Sequence, residues 1–251
     1  MPHTIIGWSK SVDEGGTDTA LTPIVDPMVR EEGDFIYVPT LNNIIGAMAL
    51  LGSTGTKAYV DAPSLRALNP YFIQPIGLEL APSGEPIVEM HPQSPTPLNV
   101  NEGMKAYANA DPSAAEQHTV LIMMSDGAIA PETGNIFHAR ATAAATEAAG
   151  KWVLSELTFE DVLPEGRYAI VGARCVCSGN GIAFRFVPVG EVNRPGGWCV
   201  NSVNALDPPY QRNGGLGVWL EFDALTPPSV EILASASGGT SQELILDLIR
   251  R

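Results

Sequence analysis

Basic residues are scarce in this chain. Fourteen Lys and Arg stand against 28 Asp and Glu, a formal net charge of −14, whereas nucleic-acid binding is driven by Lys and Arg displacing counterions from phosphates. Broad, direct contact with nucleic acid is therefore excluded. The first forty residues share the deficit: Lys10 and Arg30 face Asp13, Glu14, Asp18, Asp26, Glu31, Glu32 and Asp34, so they form no basic tail for a genome.

Cysteine is also scarce. Cys175, Cys177 and Cys199 are too few for a disulfide framework in a chain of this length. Cys175 and Cys177 lie two apart in a strand-like run and point the same way, which is poor geometry for bonding each other. There is no CxxC, and His3, His91, His118 and His138 are remote in sequence from the thiols, so no zinc motif is visible. The thiols read as buried core groups, and neither metal nor cofactor is expected.

Long apolar runs are missing. Ile44 to Leu51 is the longest nearly unbroken one, while a membrane-spanning helix needs about twenty residues. Residues 1–16 lack the charged and apolar regions of a secretory signal. The expectation is a chain made and used inside a cell, or carried out of it in a particle.

Catalytic signatures are absent too. No GxSxG elbow occurs; Ser125-Asp126-Gly127 after an apolar run reads as a turn. Ser178-Gly179-Asn180-Gly181 leads into a strand rather than a helix, so it reads as a hairpin turn and not a phosphate loop. No calcium loop and no HExxH are present. Glycoside hydrolysis needs only two spaced carboxylates. Glu221, beside Trp219 on a strand, is the most enzyme-like placement, since an aromatic neighbour can raise a carboxylate pKa and stack on a sugar. A rim carboxylate beside a half-buried Trp explains it better, and no catalytic residue is assigned.

What the chain does have is punctuation. With 45% hydrophobic and 17% charged residues, its 25 Gly and 21 Pro suit many short strands. Strand-length runs bounded by turn residues recur at 34–40, 44–52, 71–80, 86–91, 118–124 and 135–143, then at 151–159, 167–174, 182–187, 218–222 and 229–233. Within 167–174, Tyr168, Ile170 and Gly172 share one face and Ala169, Val171 and Ala173 the other. Arg185 lies opposite Ile182, Phe184 and Phe186, facing solvent or an acidic partner. Helical signals are few: 61–68, 101–108, and a C-terminal segment with a Thr240/Glu243 capping box and the pairs Leu244/Leu248 and Ile245/Ile249. Residues 1–33 hold few large apolar side chains and read as an extended arm that orders against a neighbour. The Ala-rich stretch 141–150 is the best boundary. The expected organisation is thus an arm over 1–33, one β-sandwich over 34–146 and a second over 147–251 with a C-terminal helix. A single large sandwich with a long loop is the alternative.

One pattern carries a resemblance. Leu163-Pro164-Glu165-Gly166-Arg167-Tyr168-Ala169-Ile170-Val171-Gly172-Ala173-Arg174, Ile182-Ala183-Phe184-Arg185 and Arg194-Pro195-Gly196 are followed by Gly217-Val218-Trp219-Leu220-Glu221-Phe222 and Thr226-Pro227-Pro228-Ser229-Val230-Glu231. Together they resemble the jelly-roll coat proteins of tailless, often membrane-containing icosahedral phages and viruses. The resemblance covers the C-terminal two fifths. It implies an all-β jelly-roll protein, as two tandem rolls or one roll with long insertions, located in the virion after synthesis in host cytoplasm. It implies no enzyme activity and self-assembly into trimers or pseudo-hexameric capsomers, with minor capsid proteins and an internal membrane as further partners. Ile5, Ile6 and Trp8 of the arm and Leu244 and Leu248 near the C-terminus are the expected assembly contacts. The rival reading is a carbohydrate-binding or glycan-processing β-sandwich built around Trp152, Trp198 and Trp219, which would need those rings exposed in a groove.

Overall fold

The computed structural model describes residues 3–12, 17–51, 55–65, 69–73, 75–77, 89–110, 116–201 and 212–251. Among these every regular element is a β-strand. The chain forms two compact units, one of Ile6–Ala128 and one of Met1–Ile5 with Ile129–Arg251. The division falls at 128/129, not at 146/147 as expected, because Ala141 to Ala143 belong to a strand paired inside the second unit.

In the first unit the strands are β1 (His3–Val12, from Ile6 onward), β2 (Thr19–Ala20), β3 (Arg30–Glu32), β4 (Phe35–Tyr37), β5 (Asn43–Leu51) and β6 (Gly55–Asp61). They continue through β7 (Tyr71–Ile73), β8 (Pro75–Gly77), β9 (Glu89–Met90), β10 (Thr96–Pro97), β11 (Gly103–Ala110) and β12 (Glu116–Ser125). One sheet runs β1, β12, β5, β10, with β8 and β9 also on β5; the other runs β3, β4, β11, β6, β7, with β2 also on β11. Alternation supplies the core between them: Met104, Ala106 and Ala108 of β11 and Val60 of β6 meet Val120, Ile122 and Met124 of β12. In β5 the inward residues change parity. Met123 pairs Gly46 and Met124 pairs Ile44, so Ile45 is an extra residue that turns Ile44 onto the same core as Ala47, Ala49 and Leu51.

The second unit holds β13 (Phe137–Ala143), β14 (Trp152–Ser155), β15 (Thr158–Phe159), β16 (Arg167–Cys177) and β17 (Gly181–Val187). After these come β18 (Gly196–Asn201), β19 (Asn213–Gly214), β20 (Leu220–Asp223), β21 (Ser229–Ala234) and β22 (Gln242–Arg250). Their order is β14, β21, β17, β18, β16, β22, β13, β15, with β19 and β20 also on β16. Strand β18 turns the corner: Gly196 to Trp198 pair antiparallel with β17, and Cys199 to Asn201 pair parallel with β16. The 178–181 segment is accordingly a turn but not a hairpin, since β17 pairs β18 and β21 rather than β16.

A bulge also corrects the face assignment in β16. Ile170 pairs Leu248 and Gly172 pairs Asp247, which leaves Val171 as the extra residue. Tyr168 and Ile170 therefore share the buried face with Ala173, Cys175 and Cys177, opposite Leu248, Leu246, Leu244 and Gln242.

None of the expected helices is formed among the described residues. Residues 242–250 are β22, paired on both sides, with β16 and β13, and 103–108 lie in β11. In the 61–68 stretch, Pro63 to Leu65 form a turn, and 66–68 lie outside the described residues. The expected runs at 71–80 and 86–91 are described only at 71–73, 75–77 and 89–91. The arm expected over 1–33 is corrected as well. Its residues His3 to Val12 form β1, and Ile5, Ile6 and Trp8 are completely buried in their own chain.

Candidate functional site

Among the described residues, three thiols form a cluster that the sequence does not display. Cys175 and Cys177 sit two apart on β16 and point into the second unit because of the bulge at Val171. The parallel pairing of β18 sets Cys199 directly beside Cys175. All three thiols are free and buried. Cys175 Sγ lies 3.9 Å from Cys177 Sγ, and the three sulfurs lie within 4.8 Å of one another. Burial opposes charge on each sulfur. Even so, hydrogen bonds from Cys177 and Cys199 draw the Cys175 thiol down to about 6. Cys177 is pushed up, first by that same hydrogen bond, and Cys199 first by its burial.

Glu147 lies at the edge of this cluster and is 1% exposed. In the sequence it lies within the Ala-rich stretch 141–150 with no signal of a role. Its Oε2 accepts the Asn180 backbone N–H at 2.6 Å, and its Oε1 accepts from Gln242 Nε2 at 3.4 Å. A Cβ on Gly181 would strike Cys177 Sγ and lie 3.4 Å from Glu147 Oε1, so thiol and carboxylate flank one backbone position. The Glu147 charge opposes ionisation of Cys175 and Cys177. Among the described residues, no Lys, Arg or His side chain pairs with Glu147.

The glycan-processing placement looks different in three dimensions. Glu221 lines a cleft of about 230 Å³ with Arg167, Val189, Asp223, Thr226 and Pro228. Arg167 Nη2 and Arg251 Nε each lie 3.2 Å from a Glu221 carboxylate oxygen. Both carboxylate oxygens are thus engaged by guanidinium groups. Trp219 is not beside it: that ring is 3% exposed and packs against His3, Phe184 and Phe186. Trp198 is buried, and Trp152 lies under the Arg185 guanidinium at 4.1 Å. None of the three tryptophans offers an open sugar platform. A more accessible aromatic group lies on the first unit, where half-buried Tyr59 stacks on half-buried Tyr107 with centroids 5.0 Å apart and exposed Phe72 lies 5.7 Å from Tyr59. Lys57 sits 4.7 Å from the Tyr59 centroid and Lys105 5.5 Å from that of Tyr107. Burial and then the Asp18 carboxylate, which accepts from its hydroxyl, push the Tyr59 pKa up.

The expected assembly contacts are not brought to a surface. Ile5, Ile6, Trp8, Leu244 and Leu248 have no accessible area, so none can touch a neighbour while the chain is folded. Among the described residues, exposed apolar side chains include Phe72 and Leu154 on strands and, on connecting segments of the second unit, Val162, Val189, Val192 and Leu225. The remaining histidines are placed apart from the thiols: His91 bonds Tyr71, His138 bonds Asp247, and His118 is buried.

No protein-family model matches the chain, and no curated protein matches it. Among solved structures it is similar to the major capsid protein P2 from bacteriophage PM2, with 10% identity, a TM-score of 0.26, and 99% of this chain and 97% of that chain covered. It is also similar to a β-porphyranase of glycoside hydrolase family 86 from the human gut bacterium Bacteroides plebeius, at 12% identity and a TM-score of 0.21. There 92% of this chain matches 39% of that chain. At these TM-scores neither likeness bears on function.

Proposed function

We propose that this chain is a structural subunit that self-associates into trimeric or pseudo-hexameric capsomers of an icosahedral shell, with its place in the virion. One observation carries the reading: a single chain builds two compact all-β units, each with its own buried core. The coat-like residue pattern over 163–231 supports it, as do the exposed apolar side chains on the second unit's connections, which suit contacts between copies. Minor capsid proteins and an internal membrane belong to the same proposal. The arm-exchange mechanism does not, because β1 is buried within its own chain. Size-exclusion chromatography and electron microscopy of the expressed protein test it: trimers or larger symmetric assemblies are expected, and a chain that stays monomeric at every concentration and ionic strength would sink the proposal.

The second reading, a glycan-binding or glycan-processing protein, has the Tyr59, Tyr107 and Phe72 face in its favour. Saturable glycan binding lost in Tyr107→Ala, or turnover lost in Glu221→Gln, would establish it instead.

A further inference from the structure

We propose that Cys175, Cys177 and Cys199 form a binding site for one thiophilic d10 cation, zinc(II) or copper(I), inside the second unit. Three observations converge on it. The first is spacing. Zinc–thiolate bonds of about 2.3 Å place tetrahedral sulfurs about 3.8 Å apart. Cys175 and Cys177 are at 3.9 Å, and the third sulfur lies within 4.8 Å of both. The second is donor type: all three ligands are soft sulfur, the set that selects these ions over magnesium or calcium. The third is charge. Glu147 is a buried carboxylate with no cationic side chain paired to it among the described residues, and its field favours a cation as much as it disfavours bare thiolates.

The strands already fix the donors. Cys175 and Cys177 share a face of β16, and Cys199 is locked in register by the parallel ladder, so binding needs sulfur shifts rather than refolding. Each thiol gives its proton to solvent as its sulfur bonds the metal, and nothing is oxidised or reduced. Gln242 and the Asn180 N–H, which bond Glu147, orient the surrounding shell. Because two donors lie on β16 and the third on β18, the bound ion would cross-link the corner strand to β16.

The full-length chain, purified reduced and without oxygen, supplies the test. Elemental analysis after dialysis against zinc, or against copper(I) under reductant, should give one ion per chain, and competition between the two identifies the preferred metal. Cadmium(II), used as a spectroscopic probe, should produce a thiolate-to-metal charge-transfer band that saturates at one equivalent and raises Tm. Cys177→Ser should remove the band. Glu147→Gln should keep the stoichiometry while weakening affinity by roughly 10 to 100-fold. The wild-type titration needs no variant, so it decides the question even where a substitution prevents folding. No saturable cadmium band and no Tm change would overturn the site.

Discussion

Arg185 and Glu231 face each other directly across β17 and β21, with Nε 2.6 Å from Oε2 and only 1% of the arginine side chain exposed. Arg185 also donates to the Ile5 carbonyl at 3.1 Å and lies over the Trp152 ring. Here the acidic partner that the strand alternation allows for Arg185 is provided by the chain itself. Removing one member of a buried pair leaves an uncompensated charge, which costs about 3 to 5 kcal/mol. Glu231→Gln should therefore lower stability by about 3 kcal/mol in denaturant melts, while Arg185→Met combined with Glu231→Leu should recover most of that loss.

His3 gives the protein a pH dependence with a definite sign. Its ring is fully buried with Nε2 3.1 Å from the Gly196 carbonyl oxygen, and burial, opposed by donation to that carbonyl, lowers its pKa to about 4. The unfolded chain then binds the extra proton first, below about 6.5. The stabilisation is complete above that value and is lost as pH falls from about 6.5 to about 4. The loss should amount to about 3 kcal/mol, and His3→Asn should flatten that part of the stability curve.

Gly196 stands where no side chain fits. A Cβ there would collide with the Phe184 carbonyl oxygen and lie 2.6 Å from Arg185 Cα, both of them backbone in the neighbouring strand. Gly196→Ala should destabilise by about 3 kcal/mol, read as a fall in thermal midpoint of about 6 to 12 °C for a chain of this size. Gly190→Ala offers the contrast: it has open space around it but a φ of +79°, so it should cost only the smaller backbone strain, about 1 to 2 kcal/mol.

Hydrogen exchange distinguishes a folded β1 from a mobile arm. Ile5, Ile6 and Trp8 are wholly buried and β1 pairs β12, so amides of 5–8 should exchange as slowly in an isolated chain as those of β12. Trp8→Ala should cost about 3 to 5 kcal/mol, with the remaining protection of residues 5–8 falling in step.

Self-association should instead depend on the exposed connections. Val162 is 96% exposed, Val189 81% and Leu225 76%. Replacing all three with Asp should leave the monomer's stability within about 0.5 kcal/mol per site while abolishing particles in electron micrographs. Unchanged particles would show that copies meet through other surfaces.

Much of the fold is legible in the sequence because alternation and turn residues are local signals. The strands of β12, β13, β17 and β21 fall where the apolar runs place them. The failures occur where distant pairing decides. In the C-terminal segment, Leu244, Ile245, Leu246, Leu248 and Ile249 satisfy helical spacing as well as a strand buried on both sides, and pairing with both β16 and β13 selects the strand. β1 is poor in local signals and is held by partners far along the chain. The thiol cluster is half visible as Cys175-x-Cys177, but the place of Cys199 depends on β18 running parallel to β16, which no local spacing encodes. The bulges at Ile45 and Val171 each reverse an alternation that reads correctly on one side of them.

The bond between His3 and Gly196, which lie 193 residues apart in the chain, has a consequence during synthesis. A ribosome reaches Gly196 well after His3, and at about 5 to 20 residues per second the wait is about 10 to 40 seconds. Through that interval His3, Thr4 and Ile5 have no seat, since their partners Gly196, Arg194 and Arg185 have not yet emerged. Residues 3–5 are thus among the last to lock, and until then the nascent chain carries an unpaired strand end that a chaperone has reason to shield.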